Sequence, residues 1–412
     1  MPEQNLVRRV IEVNEQVITA RSPRPMRIAA RKRGDFPRVA TVHLDAAEKL
    51  SSPLLMGPPL CDELVALVQH LFTQEEAAVV RCLGVLSGKS EHAIARTVGR
   101  PLDEVVPILH HLAFKKRAIA CTGLEGEYRY KLMPLLPGIF EMVLIGESLE
   151  TLSPWHQRFV ELFEAVYDTG YNLDYMEKRD PTVRFLPIAK AIEGNPMALP
   201  SDWLGVVLDR YKVFGVGQCQ CRMSAATLGA GCGKPLGNCI GMGEFAEKGI
   251  RHGWLKPISL QGVLEVKAEA EANGLVSWIL NVESTKGQFS CSCCGCCCKG
   301  MRLVSQFNAP GLMAPPHFVP RFDTAQCSHC GKCVMKCPMG ALTVDRLNKT
   351  LSLKAERCIG CGLCSLACDK VHAIRMEPVP QHQLPYRSWF SMVLQTAPSR
   401  LWQAWKVWQK YR

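Results

Sequence analysis

Much of what usually names a protein is missing from this chain. No apolar run approaches the roughly 18 residues of a membrane helix, so no bilayer-spanning segment is expected. Met1–Val10 has no apolar core and the next 30 residues are basic, which excludes a secretory signal. The glycine-rich stretch Gly229–Gly237 carries Lys234. However, Leu228 and Pro235 stand where a phosphate loop needs Gly and Ser/Thr. Gly215-Val216-Gly217 lacks the third glycine of a dinucleotide fold. No Ser–His–Asp or metalloprotease pattern occurs, and the 11 histidines are scattered. Acidic side chains also run out: none follows Glu377, while five Lys/Arg do. The first 40 residues hold nine Lys/Arg against four Asp/Glu. Basic ends suit an acidic partner, an anionic membrane face, nucleic acid, or a solvated arm.

What the chain has in excess is cysteine, 21 in 412 residues. An odd number without an export signal points to a reducing cytoplasm and metal ligation, not to disulfides. Eighteen of them fall in four groups. Cys327, Cys330, Cys333 and Cys337 follow C-x2-C-x2-C-x3-C, with Pro338 next. Cys358, Cys361, Cys364 and Cys368 repeat the spacing 31 residues later. Upstream, Cys219, Cys221, Cys232 and Cys239 form C-x-C-x10-C-x6-C. Cys291, Cys293, Cys294, Cys296, Cys297 and Cys298 crowd into CSCCGCCC.

The pattern between these groups predicts an α+β multidomain chain. Residues 1–60 read as a basic Pro/Arg-rich arm. Residues 61–136 read as a winged helix-turn-helix. Helices are expected at 61–72, 74–86, Ser90–Val98 and from Pro101 to Arg117, and a hairpin at Ala118–Met133. Pro107 is expected to interrupt the fourth helix. Residues 137–307 form a central α+β cysteine-rich domain. Its expected elements are a helix from Ser153-Pro154 to Asp168, a strand at Val183–Ile188 and a helix from Ser201 to Lys212. A strand at Val213–Val216, a helix from Ser259 to Gly274 and a strand at Leu275–Leu280 follow. Residues 308–320, with four prolines, read as a linker. Residues 321–380 hold the twin quartets, and 381–412 form a basic tail with four of the eight tryptophans.

The quartets resemble bacterial ferredoxins that carry two 4Fe–4S clusters. Zinc ribbons use C-x2-C pairs with a spacer and lack the trailing x3-C. In the ferredoxin pattern the fourth cysteine of each run serves the other cluster, because the chain does not turn tightly enough to close the same cube. The resemblance therefore implies one cluster on Cys327, Cys330, Cys333 and Cys368 and another on Cys358, Cys361, Cys364 and Cys337. Gly331 and Gly362 would let backbone approach the sulfides. His329 and His372 would border the clusters. Asp369 departs from the family, which has proline there. It places a carboxylate beside a ligand, where it would disfavour the reduced, more negative cluster.

The ten central cysteines also imply metal, since six thiolates in one octet repel and oxidise readily without it. One or two further iron–sulfur clusters are expected there. Adjacent cysteines in an extended segment point to opposite sides, so the octet would bridge two centres. Arg222, next to Cys221, would donate to a sulfide, bind an acidic substrate or form a surface ion pair. The whole order is similar to ferredoxin-like iron–sulfur proteins of anaerobes and archaea that join a winged helix, a CxCR segment, a CC-x-CCC knot and a two-cluster ferredoxin. That resemblance implies electron transfer and leaves the reaction open.

Asp103, Glu104 and an acidic turn at Gly123–Glu127 sit where a winged helix would meet DNA, which argues for a protein-docking role over nucleic acid. In the tail, Leu401, Trp402, Trp405 and Trp408 recur at helical spacing among Lys406, Lys410 and Arg412. Such a helix docks on protein or lies peripherally on a membrane. The expectation is a cytoplasmic protein that relays single low-potential electrons from a soluble donor to a partner redox enzyme. The alternatives are an oxidoreductase with chemistry at a central cluster and a redox-responsive winged-helix regulator.

Overall fold

The computed structural model describes residues 10–412 and divides into two bodies. One body combines the chain up to Arg24 with Met176–Pro398. The other combines Pro25–Tyr175 with Ser399–Arg412.

The second body is mainly helical. Thr73 opens the helix Gln74–Val80 with a capping box: its hydroxyl accepts from the Glu76 N–H at 3.2 Å, and the Glu76 carboxylate accepts from the Thr73 N–H at 2.8 Å. Ser90 caps Glu91–Val98, and Gly99 ends it in the left-handed region. Leu102–His110 runs through Pro107 and widens into a π turn at His111–Lys115. The helix runs on past Pro107, which removes one N–H from it. Val105 and Leu109 are buried, and this packing outweighs the lost N–H. The strands Lys89–Ser90, Arg129–Lys131 and Ala120–Thr122 form an antiparallel sheet with Arg129–Lys131 in the middle. Pro154–Asp168 begins at Ser153, whose hydroxyl accepts from the His156 N–H.

Residues 1–60 are more than an arm. The first nine lie outside the described residues. Thr41–Leu50 is a helix that buries Leu44, Ala46, Ala47 and Leu50. Ile11–Asn14 and Val17–Ala20 form a hairpin whose second strand pairs with Leu342–Asp345, through Ile18 and Val17 opposite Val344 and Asp345. The result is a four-stranded sheet that continues through Thr350–Leu353. Buried Val10, Ile11, Ile18 and Ala20 supply the apolar contact that fixes the hairpin.

The larger body is built on a six-stranded antiparallel sheet. Its order is Val183–Phe185, Val276–Leu280, Gly287–Cys293, Cys239–Gly243, Phe214–Gly217 and Lys256–Ile258. The helix expected from Ser201 to Lys212 is a tight turn, Pro200–Asp202, followed by Leu204–Leu208. The Asp202 carboxylate is engaged by the Leu199 N–H and by His317, both at 2.8 Å, and this fixes the turn. The proline segment 308–320 is docked. The N–H groups of Thr182 and Val183 donate to Leu312 O at 3.0 and 3.1 Å. Phe318–Phe322 pairs along its length with Ile374–Pro378. One apolar core therefore joins the central octet to the inner thiols of both quartets, with Cys294, Cys297, Met301, Val304, Cys337, Leu342 and Cys364 among its members.

The helix Trp389–Tyr411 passes through Pro398. Beyond Ser399 it buries Ala404 and Val407 and leaves Trp402, Trp405 and Trp408 about half exposed. Lys410 and Tyr411 anchor it on Asp174, at 2.6 and 2.7 Å.

Candidate metal centres

Each ferredoxin-type run bends at a glycine in the left-handed region, Gly331 (φ 80°) and Gly362 (φ 81°), just before a short helix. A side chain there would meet neighbouring chain: a Cβ would lie 2.7 Å from Ile18 Cδ1 at Gly331 and 2.3 Å from Ala191 Cβ at Gly362. The glycines serve close packing against protein as well as the turn. The Cys333 thiol interacts electrostatically with Cys330, Cys327 and Cys368. The Cys364 thiol does so with Cys361, Cys337, Cys358 and Cys333. Cys337, Cys358, Cys361 and Cys364 line one cavity with Pro320, Met339, Ile359, Leu363 and Met376. Converging thiols with apolar walls fit a cubane cluster and keep water from it. Burial pushes the Cys333 and Cys358 thiols up to about 12. Such thiols ionise at neutral pH only when a metal stabilises the thiolate.

The two sets differ in exposure. Cys330 is exposed and Cys327 and Cys368 are half-buried, whereas Cys337, Cys361 and Cys364 are buried. Asp369 is exposed and His329 half-buried.

The ten central thiols divide. Cys232, Cys294, Cys296 and Cys297 are buried, and their sulfurs all lie within 4.8 Å of one another. The others form a chain of neighbours: Cys239 to Cys291, Cys291 to Cys293, Cys293 to Cys298, and Cys298 to Cys221. Cys219 interacts electrostatically with Cys291 and Cys294, and with Cys221 and Cys239. The octet is not extended throughout. The strand ends at Cys293 and Gly295–Cys297 is a turn, so adjacent Cys296 and Cys297 face the same four-thiol group. The alternation expected for the octet applies only up to Cys293.

Three polar groups serve this region. Arg222 is 2% exposed and donates to Pro235 O (3.0 Å), Ser292 O (2.7 Å) and Asn238 Oδ1. Burial acts to lower its pKa, but the thiolates of Cys219, Cys294, Cys293 and Cys232 outweigh that and hold it charged. Arg222 is buried and bonded to carbonyl and amide oxygens, so it forms no surface ion pair. It fastens the loop before Cys239 to the octet strand.

Lys267 was absent from the sequence reading, although Val263, Lys267 and Ala270 share the buried helix face at i, i+4 and i+7 spacing. Its Nζ donates to Ser290 O, Ser290 Oγ, Cys291 O and Ser292 Oγ, at 2.8–3.2 Å. Burial pulls it down to about 8, against the thiolates of Cys291, Cys293 and Cys239. A buried ammonium bonded to neutral oxygens is costly unless an anion lies close by. The buried Trp278 indole N–H faces Cys291 and favours its thiolate. A buried donor and a buried cation turned on the same thiols fit an anionic cluster there. Finally, the Lys299 N–H donates to Cys221 Sγ at 3.5 Å.

Residues 326–383 match the model of the 4Fe–4S dicluster domain. The chain carries a ferredoxin-type 4Fe–4S domain. An uncharacterised ferredoxin of Methanocaldococcus jannaschii is 34% identical over 91 residues, 22% of this chain and 51% of that protein. Pyruvate synthase subunit PorD of Methanothermobacter marburgensis is 35% identical over 60 residues, 15% of this chain and 67% of the subunit. This chain thus spans about half the length of the first relative. No solved structure matches it. Iron–sulfur electron transfer is the chemistry of this domain, and no helix among the described residues is long and apolar enough to cross a membrane.

Proposed function

We propose that the chain relays single electrons inward from a surface cluster, through a buried one, to a centre on the central thiols. The surface cluster would use Cys327, Cys330, Cys333 and Cys368. The inner one would use Cys358, Cys361, Cys364 and Cys337. When bound, each cluster takes up and releases one electron at a time. The observation that carries the reading is the core shared by the octet and the inner thiols of both quartets, with Cys330 exposed outside it and Cys364 and Cys294 buried within it. Contact is tight along this route. A Cβ on Gly295 would lie 1.6 Å from Pro338 O, next to ligand Cys337. Arg357 donates to Met339 O (2.9 Å) and Ser305 O (3.0 Å), and Ser305 Oγ donates to Gly295 O (3.0 Å).

The exposed face around Cys330 is where a soluble redox donor would dock. A larger redox enzyme would be the acceptor, as the pyruvate synthase subunit among the relatives suggests. The unit at 61–136 is read as a winged helix that docks protein. Asp103 and Glu104 at the start of Leu102–His110 are exposed, and Glu104 pairs with Arg100 at 2.9 Å, which does not suit DNA phosphates. The half-exposed tryptophans of the tail would bind a partner subunit or a membrane face in the cytoplasm.

Iron and acid-labile sulfide per chain, with EPR of the anaerobically reduced protein, test the relay. Eight irons in the quartets plus further iron centrally is the expected result, in units of about four per cube. Negligible iron would end the proposal.

A further inference from the structure

We propose that Cys232, Cys294, Cys296 and Cys297 bind a single zinc ion in a closed structural site, apart from the iron–sulfur centres. The argument begins with distance. A metal–sulfur bond of about 2.3 Å places the corners of a thiolate tetrahedron about 3.8 Å apart. Cys232 Sγ and Cys294 Sγ are 3.9 Å apart, and Cys296 Sγ and Cys297 Sγ are 3.6 Å apart. Thiols that each hold a different iron of a cube must stand farther apart than thiols on one ion. Neither ferredoxin quartet forms so tight a group among the described residues. Among the described residues, these four are the only group of His, Cys, Asp and Glu whose ligand atoms all lie within 4.8 Å.

The site is also closed. The four cysteines are 1–2% exposed, so no position remains for water or substrate, as in structural rather than catalytic zinc. Four thiolates around a divalent ion leave two negative charges, and buried Arg222, which neighbours Cys294 and Cys232, offsets part of that. The site would add a metal cross-link to a segment otherwise tied by single hydrogen bonds. Residues 230–238 have no regular structure, yet Cys232 lies buried, Arg222 donates to Pro235 O within the loop and Lys234 donates from it to Gly274 O. A zinc ion joins this loop to the octet turn, 62 residues on. The remaining six thiols are then left for one central cluster.

The inference refines the central part of the relay, but its test is separate. Full-length protein, purified anaerobically after growth with iron and zinc, is measured for both metals and by zinc-edge X-ray absorption. The expected result is one zinc per chain, four sulfur neighbours at about 2.3 Å and no second metal close by. C232S and C297S should each lower zinc and leave iron unchanged, whereas C330S should lower iron and leave zinc unchanged. Zinc-free protein, zinc with nitrogen or oxygen ligands, or iron lost from C232S would overturn the assignment. The absorption measurement needs no variant, so it stands even where C232S fails to fold. Absent iron with zinc in place would sink the relay and spare the zinc site.

Discussion

The quartets at 327–368 and the ten thiols at 219–298 share a core but are assembled in opposite ways. Each quartet gathers three of its thiols from a seven-residue loop, and the turn glycine and spacing alone define it. The central groups gather theirs from a loop, two strands, a helix start and a turn. Local spacing writes chemistry into sequence where the chain itself wraps the metal. Where the sheet does the wrapping, the sequence shows density without grouping. The predictions below test how far that contrast reaches, beginning with the largest effect.

C333S should remove one cluster from the quartets, about four irons per chain, and leave the central metal untouched. Metal analysis with EPR reads both. Loss of central iron as well would mean that the two regions assemble as a single unit. The uneven exposure adds a detail: the centre around exposed Cys330 should lose iron to a chelator before the one around Cys364.

Legibility followed the same line. The ferredoxin-type domain was readable because its ligands, turn glycines and Pro338 lie within a few residues of one another. The helix start at Ser153 and the stop at Gly99 were readable for the same reason, as caps are local chemistry. The hairpin Ile11–Ala20 was read as arm because its stability comes from pairing with Val344, more than 320 residues away. The grouping of Cys232 with Cys294 depends on sheet order and was hidden likewise. Lys267 did leave a signal, a lysine on the apolar face of Leu260–Ala272. A lysine buried at such a position is costly unless an anion lies close by.

G295A tests the seam between the regions. Its Cβ would meet Pro338 O at 1.6 Å, so the octet turn and the end of the first quartet must part. A loss of roughly 1–3 kcal/mol in unfolding free energy is expected. G237A, where nothing lies within 4 Å of the added Cβ, serves as the neutral control. Equal effects in chemical denaturation would deny that the seam is tight.

K267M keeps the length of the side chain and removes a buried positive charge beside Cys291, Cys293 and Cys239. Reduction adds negative charge to the central cluster, so its potential should fall, by on the order of 100 mV. Redox titration followed by EPR measures the shift. An unchanged potential would show that Lys267 serves only the oxygens of Ser290 and Ser292.

D369N makes the opposite charge change in the other region. Asp369 adjoins Cys368, and taking away its negative charge should raise the potential of the surface cluster. On sequence alone this residue ranks above Lys267, since it sits directly beside a ligand. The structure reverses the order. Asp369 is exposed, so water and salt screen its field over about 8–10 Å, and the shift should stay below roughly 20 mV. It should also shrink as salt is raised, which the effect of K267M should not. A D369N shift as large as that of K267M, at high salt, would mean that burial does not separate the two regions electrostatically. The inward gradient of exposure would then say little about where the electron comes to rest.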